Sequence, residues 1–435
     1  MQRFALSRMK ECKENENRKP LIIRWARQVG KTWIMKTFGQ QYFEKTAYVN
    51  FDNNARMKQV FEGDLDIERL VLSISAETGV SIEAENTLII FDEVQEVPKA
   101  LTSLKYFYEN APQYAIVAAG SLLGVALHQG TSFPVGKVDF LDLYPLNFRE
   151  FLCAMGEKQF VSMLDSCDTQ MVTVFKTKYI ERLREYYFVG GMPEVVKDFS
   201  EKKDYNRVRA IQKNLINYYQ QDFSKHAEIK LVPRLNLVWN SIPMQLAKEN
   251  KKYIYGQVRE GSRAKDFELA IQWLLDCGLI HKVQRIQKPD LPLKAYIDFD
   301  AFKLFLVDIG LLIAMTDLDA KVIIEGNKIF TEFKGALTEQ YILQQLISDV
   351  GVIPYYYSTQ NSKGEIDFLV QGKTSVIPIE VKAEENLKAK SLKAFCEKYQ
   401  PSYAVRTSMS DYREQDWMTN IPLYAVKWIK NYVNQ

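Results

Sequence analysis

Leu21-Ile22-Ile23-Arg24-Trp25-Ala26-Arg27-Gln28-Val29-Gly30-Lys31-Thr32 is a short apolar run, then a turn that ends in Gly-Lys-Thr. The helical stretch 33–38 follows it. A strand, a turn and a helix in this order form the setting of a phosphate-binding loop. Backbone N–H groups at the helix start face the phosphates, and the helix dipole favours the negative charge. In this reading Arg27, Gln28, Val29, Gly30 and Trp33 line a nucleotide. Lys31 reaches its β- and γ-phosphates, and the Thr32 hydroxyl binds Mg²⁺. The pattern G-x-x-x-x-G-K-[ST] begins with glycine, and here that position is Trp25. A non-glycine residue held at positive φ costs roughly 1–2 kcal/mol. Trp25 is therefore expected to weaken the loop through strain or bulk.

Further apolar runs lie at 47–51, 87–91, 114–119 and 138–143, separated by amphipathic or polar segments. Short buried runs alternating with helices predict an α/β domain whose parallel sheet is covered on both faces. One of these runs ends as Leu88-Ile89-Ile90-Phe91-Asp92-Glu93. An apolar strand closing on two carboxylates, downstream of Gly-Lys-Thr, completes an ATP and Mg²⁺ site. Asp92 would hold the metal, directly or through water, and Glu93 would orient and deprotonate the attacking water.

From 160 to 246 the apolar spacing is mostly helical. The stretch 266–275 is an amphipathic helix. Strands at 279–286 and 294–299 flank a tip with Pro289 and Pro292. Helix plus hairpin is the outline of a winged helix, and any three-helix subdomain with a hairpin fits the same pattern. A helix at 337–347, strands at 355–358, 365–370 and 376–381, and a Lys-rich helix at 387–398 then make a separate α/β unit. Asp367 and Glu380 are 13 residues apart. A hairpin would bring their strands together, and a period of two sends Glu380 and Lys382 to one face. The two carboxylates would then share Mg²⁺ or Mn²⁺, with Lys382 positioning water for phosphodiester cleavage. Lys388, Lys390 and Lys393, with Arg259, Arg263, Lys265, Lys282 and Arg285, offer cations to a nucleic-acid backbone.

Of 435 residues, 47% are hydrophobic and 26% charged, which excludes disorder as the main state. A net charge of +3 excludes a wholesale polycation. Five scattered cysteines and three histidines exclude a disulfide framework and histidine-rich metal chemistry, and a reducing compartment fits. The N-terminus has no apolar core and no late stretch is long enough to span a bilayer, so the expected location is the cytoplasm, without a membrane partner.

The segments RWARQVGKTW, LIIFDEVQEVPKAL, AAGSLLG, SFPVGKVDFLDLYPLNFREF, YFVGGMPEVV, FKLFLVDIGLL, GALTEQYIL, GEIDFLV and IPIEVKAEE run through most of the chain. In this order they resemble the AAA-like ATPases of bacteria and archaea that carry a C-terminal domain of unknown function with a restriction-endonuclease-like fold. The resemblance implies four regions. They are an AAA-like P-loop domain at 1–155, a helical lid or connector at 156–245, a winged-helix-like domain at 246–325 and a nuclease-like domain at 326–435. It implies Ser121 as a sensor of the γ-phosphate and Glu339 as a further metal carboxylate. Family members usually carry Gly-Arg where this chain has Gly136-Lys137; lysine cannot make the planar fork of that arginine's phosphate contact, which leaves Arg27 and Arg149 as cationic helpers. The expected function is an ATPase coupled to a nuclease-like domain that acts on or binds DNA or another nucleic acid, as a monomer or an oligomer. The alternative is a nucleotide-regulated switch on an inactive nuclease-like scaffold.

Overall fold

The computed structural model describes residues 2–120, 134–248, 251–324, 331–359, 364–384 and 389–435. Two compact units divide the chain. One holds Gln2–Tyr144 with Asp276–Leu279, the other Pro145–Leu275 with Ile280–Gln435.

In the first unit, helix α1 (Ala5–Glu14) precedes β1 (Leu21–Arg24), α2 (Lys31–Tyr42), β2 (Lys45–Asn50), α3 (Ala55–Glu62), α4 (Ile67–Thr78), β3 (Thr87–Asp92), α5 (Pro98–Asn110), β4 (Ala115–Ala119) and β5 (Asp139–Asp142). The five strands expected from the apolar runs form one sheet of order β2-β3-β4-β1-β5, and every pairing in it is parallel. All of β3 is buried, as a central strand covered on both faces requires. The Asp66 side chain caps α4 by accepting from the Arg69 N–H, and Pro98 opens α5, where its missing N–H costs nothing. Ile22, Val49, Phe51, Ile89 and Phe91 pack with Met57, Phe61, Leu70 and Leu104 of the helices into one core.

The second unit begins with helices α6 (Phe148–Ala154), α7 (Lys158–Asp165), α8 (Thr169–Val174), α9 (Lys176–Val189), α10 (Pro193–Lys202), α11 (Tyr205–His226), α12 (Val232–Leu246), α13 (Tyr255–Val258) and α14 (Ala264–Asp276). Strands β6 (Ile280–Ile286) and β7 (Ile297–Leu306) follow, then α15 (Ile309–Met315), α16 (Ala320–Ile324) and α17 (Thr331–Gln345). The chain closes with β8 (Tyr355–Ser358), β9 (Glu365–Gln371), β10 (Val376–Val381), α18 (Lys390–Tyr399), β11 (Val405–Ser408), β12 (Arg413–Gln415), β13 (Met418–Pro422) and α19 (Ile429–Val433).

Eight strands form one mixed sheet of order β12-β13-β11-β10-β9-β8-β6-β7. The β6–β7 hairpin, expected as the wing of a separate domain, is thus the edge of the C-terminal sheet. Its inner strand pairs parallel with β8 through Arg285↔Tyr356 and Ile286↔Tyr357. The boundary expected at 325/326 falls inside this unit. Strand β7 also runs further than expected, because its apolar second half, Ala301–Leu306, is buried. Among the described residues, no helix is long and apolar enough to cross a membrane.

Candidate functional site

Strand β1 ends at Arg24, and the loop turns at once. Trp25 takes φ 112°, Gln28 φ 64° and Gly30 φ 95°, so three left-handed residues curl the backbone before α2 begins at Lys31. Only glycine adopts such angles without steric cost. The Trp25 ring packs edge-on against Tyr144, with ring centroids 4.9 Å apart, and lies against Gly278. Arg3 fixes the loop from below, donating to the Val29 carbonyl at 3.0 Å and to the Tyr144 carbonyl at 2.6 Å. The loop accommodates the indole by packing it. Ala26 and Val29 are buried, while Gln28, Thr32 and Trp33 face outward.

The Lys31 ammonium donates to the carbonyls of Trp25, at 3.0 Å, and Ala26, at 2.6 Å. Burial pushes its pKa down to about 8, against the pull of Glu93 and Asp92, and Arg27 adds to the lowering. A group arranged in this way gains from an anion placed at the loop.

The first turn of α2 faces the end of β3. The Thr32 hydroxyl donates to Asp92 Oδ2 at 2.6 Å, and the Tyr48 hydroxyl of β2 donates to the same oxygen at 2.9 Å. Asp92 Oδ1 accepts from the Glu93 N–H at 3.0 Å. Because the Thr32 hydroxyl points its hydrogen at Asp92, its oxygen keeps its lone pairs for a cation. Asp92 then acts behind the hydroxyl, which favours the through-water role over direct ligation. Glu93 sits at φ 52°, just beyond the strand, and its Oε2 accepts from the Gln95 amide at 2.7 Å. A left-handed non-glycine residue at a strand end is a place where strain serves a site. Oxygen donors from Thr32, Asp92 and Glu93 suit a hard cation such as Mg²⁺.

Four further residues carried expectations. Ser121 lies outside the described residues, as does Lys388. Lys137 precedes β5, whose partner in β1 starts at Leu21, so it sits at the strand end opposite the loop. There it pairs with Glu109 at 3.0 Å. Arg149, in the second unit, is held by Asp349 at 2.8 Å and by Asp165, a structural ion network in place of a phosphate contact.

The C-terminal carboxylates separate into two groups. Lys382 meets Glu380 Oε1 at 2.7 Å, so the expected shared face of these two side chains is present. Glu380 faces α18, because its charge raises the pKa of Cys396 on that helix after burial does, and Val376 of the same strand face packs against α18 residues. Asp367 turns the other way. Ile366 and Leu369 both join the cluster under α18, which an unbroken strand with a period of two does not allow. The β8–β9 register shifts between Tyr355 and Tyr357, and the irregularity turns Asp367 and Phe368 to the α17 face. Phe368 there lies 6.2 Å from Phe305.

On that face Asp367 lies beside Glu339, and its Oδ2 accepts from the Val381 N–H at 2.7 Å. Burial, then the nearby Glu339, pushes the Asp367 carboxyl up. Burial acts on Glu339 as well, but Lys251 and Lys303 outweigh it and hold its carboxyl below the usual range. Lys303, fully buried, also pairs with Glu365. The shared metal expected for Asp367 and Glu380 therefore finds its two ligands on opposite faces. Among the described residues, no three His, Cys, Asp or Glu side chains gather closely enough to hold an ion. The hairpin cations are also engaged. Arg285 pairs with Asp298, and Lys282 lies over the Phe302 ring at 4.3 Å.

Tyr48 and Arg3 were not foreseen. A tyrosine inside an apolar strand reads as core, and its position on the face of Asn50, opposite Asp92, was the available signal.

Residues 17–152 match a family model described as an AAA domain. Residues 180–322 and 334–426 match two models described as domains of unknown function, DUF8612 and DUF4143. No curated protein matches the chain. Among solved structures, the Walker-type ATPase PABY2304 of Pyrococcus abyssi is 15% identical, with a TM-score of 0.44, covering 72% of this chain and 95% of that one. The Aeropyrum pernix ORC1 protein in complex with DNA is 12% identical, with a TM-score of 0.27, covering 72% and 91%. Cdc6p from Pyrobaculum aerophilum is 10% identical, with a TM-score of 0.25, covering 72% and 92%. The matched N-terminal model and the loop geometry agree: over residues 17–152 the chain carries a P-loop ATPase domain of the AAA type, and two domains of unknown function follow it.

Proposed function

We propose that the chain is a Mg²⁺-dependent ATPase whose nucleotide state controls a nuclease-like sheet that binds nucleic acid. The observation that carries the ATPase reading is the Thr32–Asp92 hydrogen bond of 2.6 Å, which joins the two nucleotide motifs. Lys31 leaves the carbonyls of Trp25 and Ala26 and turns to the β- and γ-phosphates. Thr32 offers its oxygen outward while Asp92 accepts its hydrogen. Glu93, steadied by Gln95, takes a proton from the attacking water. Bound Mg²⁺ would neutralise charge on the β- and γ-phosphates. The separation of Asp367 and Glu380 onto two faces weighs against cleavage by this sheet.

Calorimetry and phosphate release, with and without DNA, test the proposal. Lys31→Ala should weaken ATP binding by roughly ten- to hundred-fold, the value of a charged hydrogen bond. Glu93→Gln should keep binding and slow turnover by about a hundred-fold or more. Equal affinity in wild type and Lys31→Ala rejects the site.

One observation favours a second reading, cleavage centred on Glu380 and Lys382 alone. Glu380 Oε2 is buried and has no hydrogen-bond partner among the described residues, and Lys382 stands beside it. Nicking of DNA or RNA in Mn²⁺ that is lost in Glu380→Ala would establish it.

A further inference from the structure

Tyr48, Lys36, Thr32 and Asp92 close a ring of contacts at the nucleotide loop. Thr32 and Lys36 are one turn apart on α2 and share a face. The Lys36 ammonium lies over the Tyr48 ring, 3.8 Å from its centroid. The Tyr48 hydroxyl donates to Asp92 Oδ2 at 2.9 Å, and Thr32 donates to the same atom at 2.6 Å. The parallel register sets this meeting. Asn50 pairs with Asp92, and Tyr48, two residues earlier on the same strand face, reaches along the sheet to the carboxylate.

An ionised carboxylate oxygen has two lone pairs. On Asp92 Oδ2 both are taken, one by Thr32 and one by Tyr48, and Oδ1 accepts the Glu93 N–H. Without the phenol, Oδ2 keeps only the Thr32 hydroxyl, and its second lone pair is open to a cation in place of the Thr32 oxygen. With the phenol in place, the carboxylate is oriented so that it accepts the Thr32 hydrogen bond and leaves the Thr32 oxygen facing outward. The lysine above the ring holds the phenol by a cation–π contact and keeps a positive charge one turn from the loop.

We propose that Tyr48 is a positioning residue of the ATP site, whose hydroxyl orients Asp92 toward Thr32 and thereby sets the divalent-cation dependence of nucleotide binding. This rests on the reading of the loop as an ATP site. Tyr48 touches neither nucleotide nor metal, and it acts through Asp92. Its loss therefore shifts the cation dependence and leaves cation-free binding of nucleotide as it was.

The test uses the full chain and ADP, with binding measured by calorimetry in EDTA and over a series of Mg²⁺ concentrations. In Tyr48→Phe, which keeps the ring and its lysine contact, ADP affinity in EDTA should equal that of the wild type. The Mg²⁺ concentration that gives half of the full enhancement should rise about five- to ten-fold, less than the full value of a hydrogen bond to a charged group because the phenol acts through Asp92. In a Thr32→Val background, where there is no hydroxyl to orient, the same substitution should produce no shift. An unchanged Mg²⁺ midpoint in Tyr48→Phe, or an equal shift with and without Thr32, overturns the role of Tyr48 while the ATP site stands. A wild type that binds no ADP in either condition overturns the ATP reading itself, and the inference with it.

Discussion

At the scale of single residues, Trp25 shows how a loop built for glycine carries an indole. Its φ of 112° costs roughly 1–2 kcal/mol, and contacts with Tyr144 and Gly278 offset that cost. Gly278 is itself left-handed, at φ 69°, and an added Cβ would stand 2.9 Å from the Ala26 nitrogen and 3.1 Å from the Trp25 ring. Gly278→Ala should therefore destabilise the chain by about 1–3 kcal/mol in chemical denaturation, through backbone strain and overpacking. It should also weaken ADP binding, because the displaced atoms belong to the phosphate loop. Unchanged stability together with unchanged ADP affinity would show that the loop does not depend on this close approach.

At the scale of elements, α17 and the loop before α15 hold buried charges of two kinds. Glu339 on α17 answers Lys251 and Lys303 together, whereas burial and the nearby Glu339 push the Asp367 carboxyl up beside it. Removing a carboxylate that neutralises buried ammonium groups leaves uncompensated charge. Glu339→Ala should cost about 3–5 kcal/mol. Asp367→Asn replaces a carboxyl whose charged form burial disfavours with a neutral amide of the same shape and should change stability by less than about 1 kcal/mol. Equal losses in the two variants, measured in urea, would contradict this assignment of charge.

Asp308, which caps α15, accepts from the Gly191 N–H at 2.6 Å and from the Gln344 amide at 3.2 Å. Burial still pushes its pKa up to about 6 from an ordinary carboxylate value, against those hydrogen bonds. The native state then binds more protons than the unfolded chain between about pH 4 and 6. Stability from this group is present in acid and falls as pH rises through that window, by about 3 kcal/mol in all. Asp308→Asn should remove that part of the pH dependence, which denaturation curves at pH 4, 5, 6 and 7 would reveal.

At the scale of the whole molecule, 57 basic residues nearly balance 54 acidic ones, and many cations are spent on neighbours. Arg149, Arg182, Arg207 and Arg285 all lie in ion pairs, while Lys390 and Lys393 on α18 are exposed. A nucleic acid bound by this chain should meet few free cations. We expect log K to fall with log salt at a slope shallower than about −4, since each neutralised phosphate contributes about −0.9. Replacing Lys390 and Lys393 together with Gln should reduce the slope by about 2 if that helix carries the contact. Fluorescence anisotropy over a salt series measures both, and an unchanged slope removes α18 from the interface.

The sequence alone determined the features that depend on residues a few positions apart. Strand β1, the turn through Gly30, the helix after Lys31 and the Asp92-Glu93 strand end are all written locally. Apolar runs, tolerance of positive φ and the helix dipole act over a handful of residues. The shared face of Glu380 and Lys382 was legible for the same reason, because alternation along one strand is local. Tertiary structure decided what depends on register between distant segments. The meeting of Tyr48 with Asp92, 44 residues on, follows from the pairing of β2 with β3. The hairpin β6–β7 joins the C-terminal sheet because its inner strand finds β8. Asp367 parts from Glu380 because one irregularity in β9 turns it to the other face. A one-residue change of register reverses a side chain, and the register is chosen by the sum of many weak contacts across the sheet, which no single stretch of sequence contains.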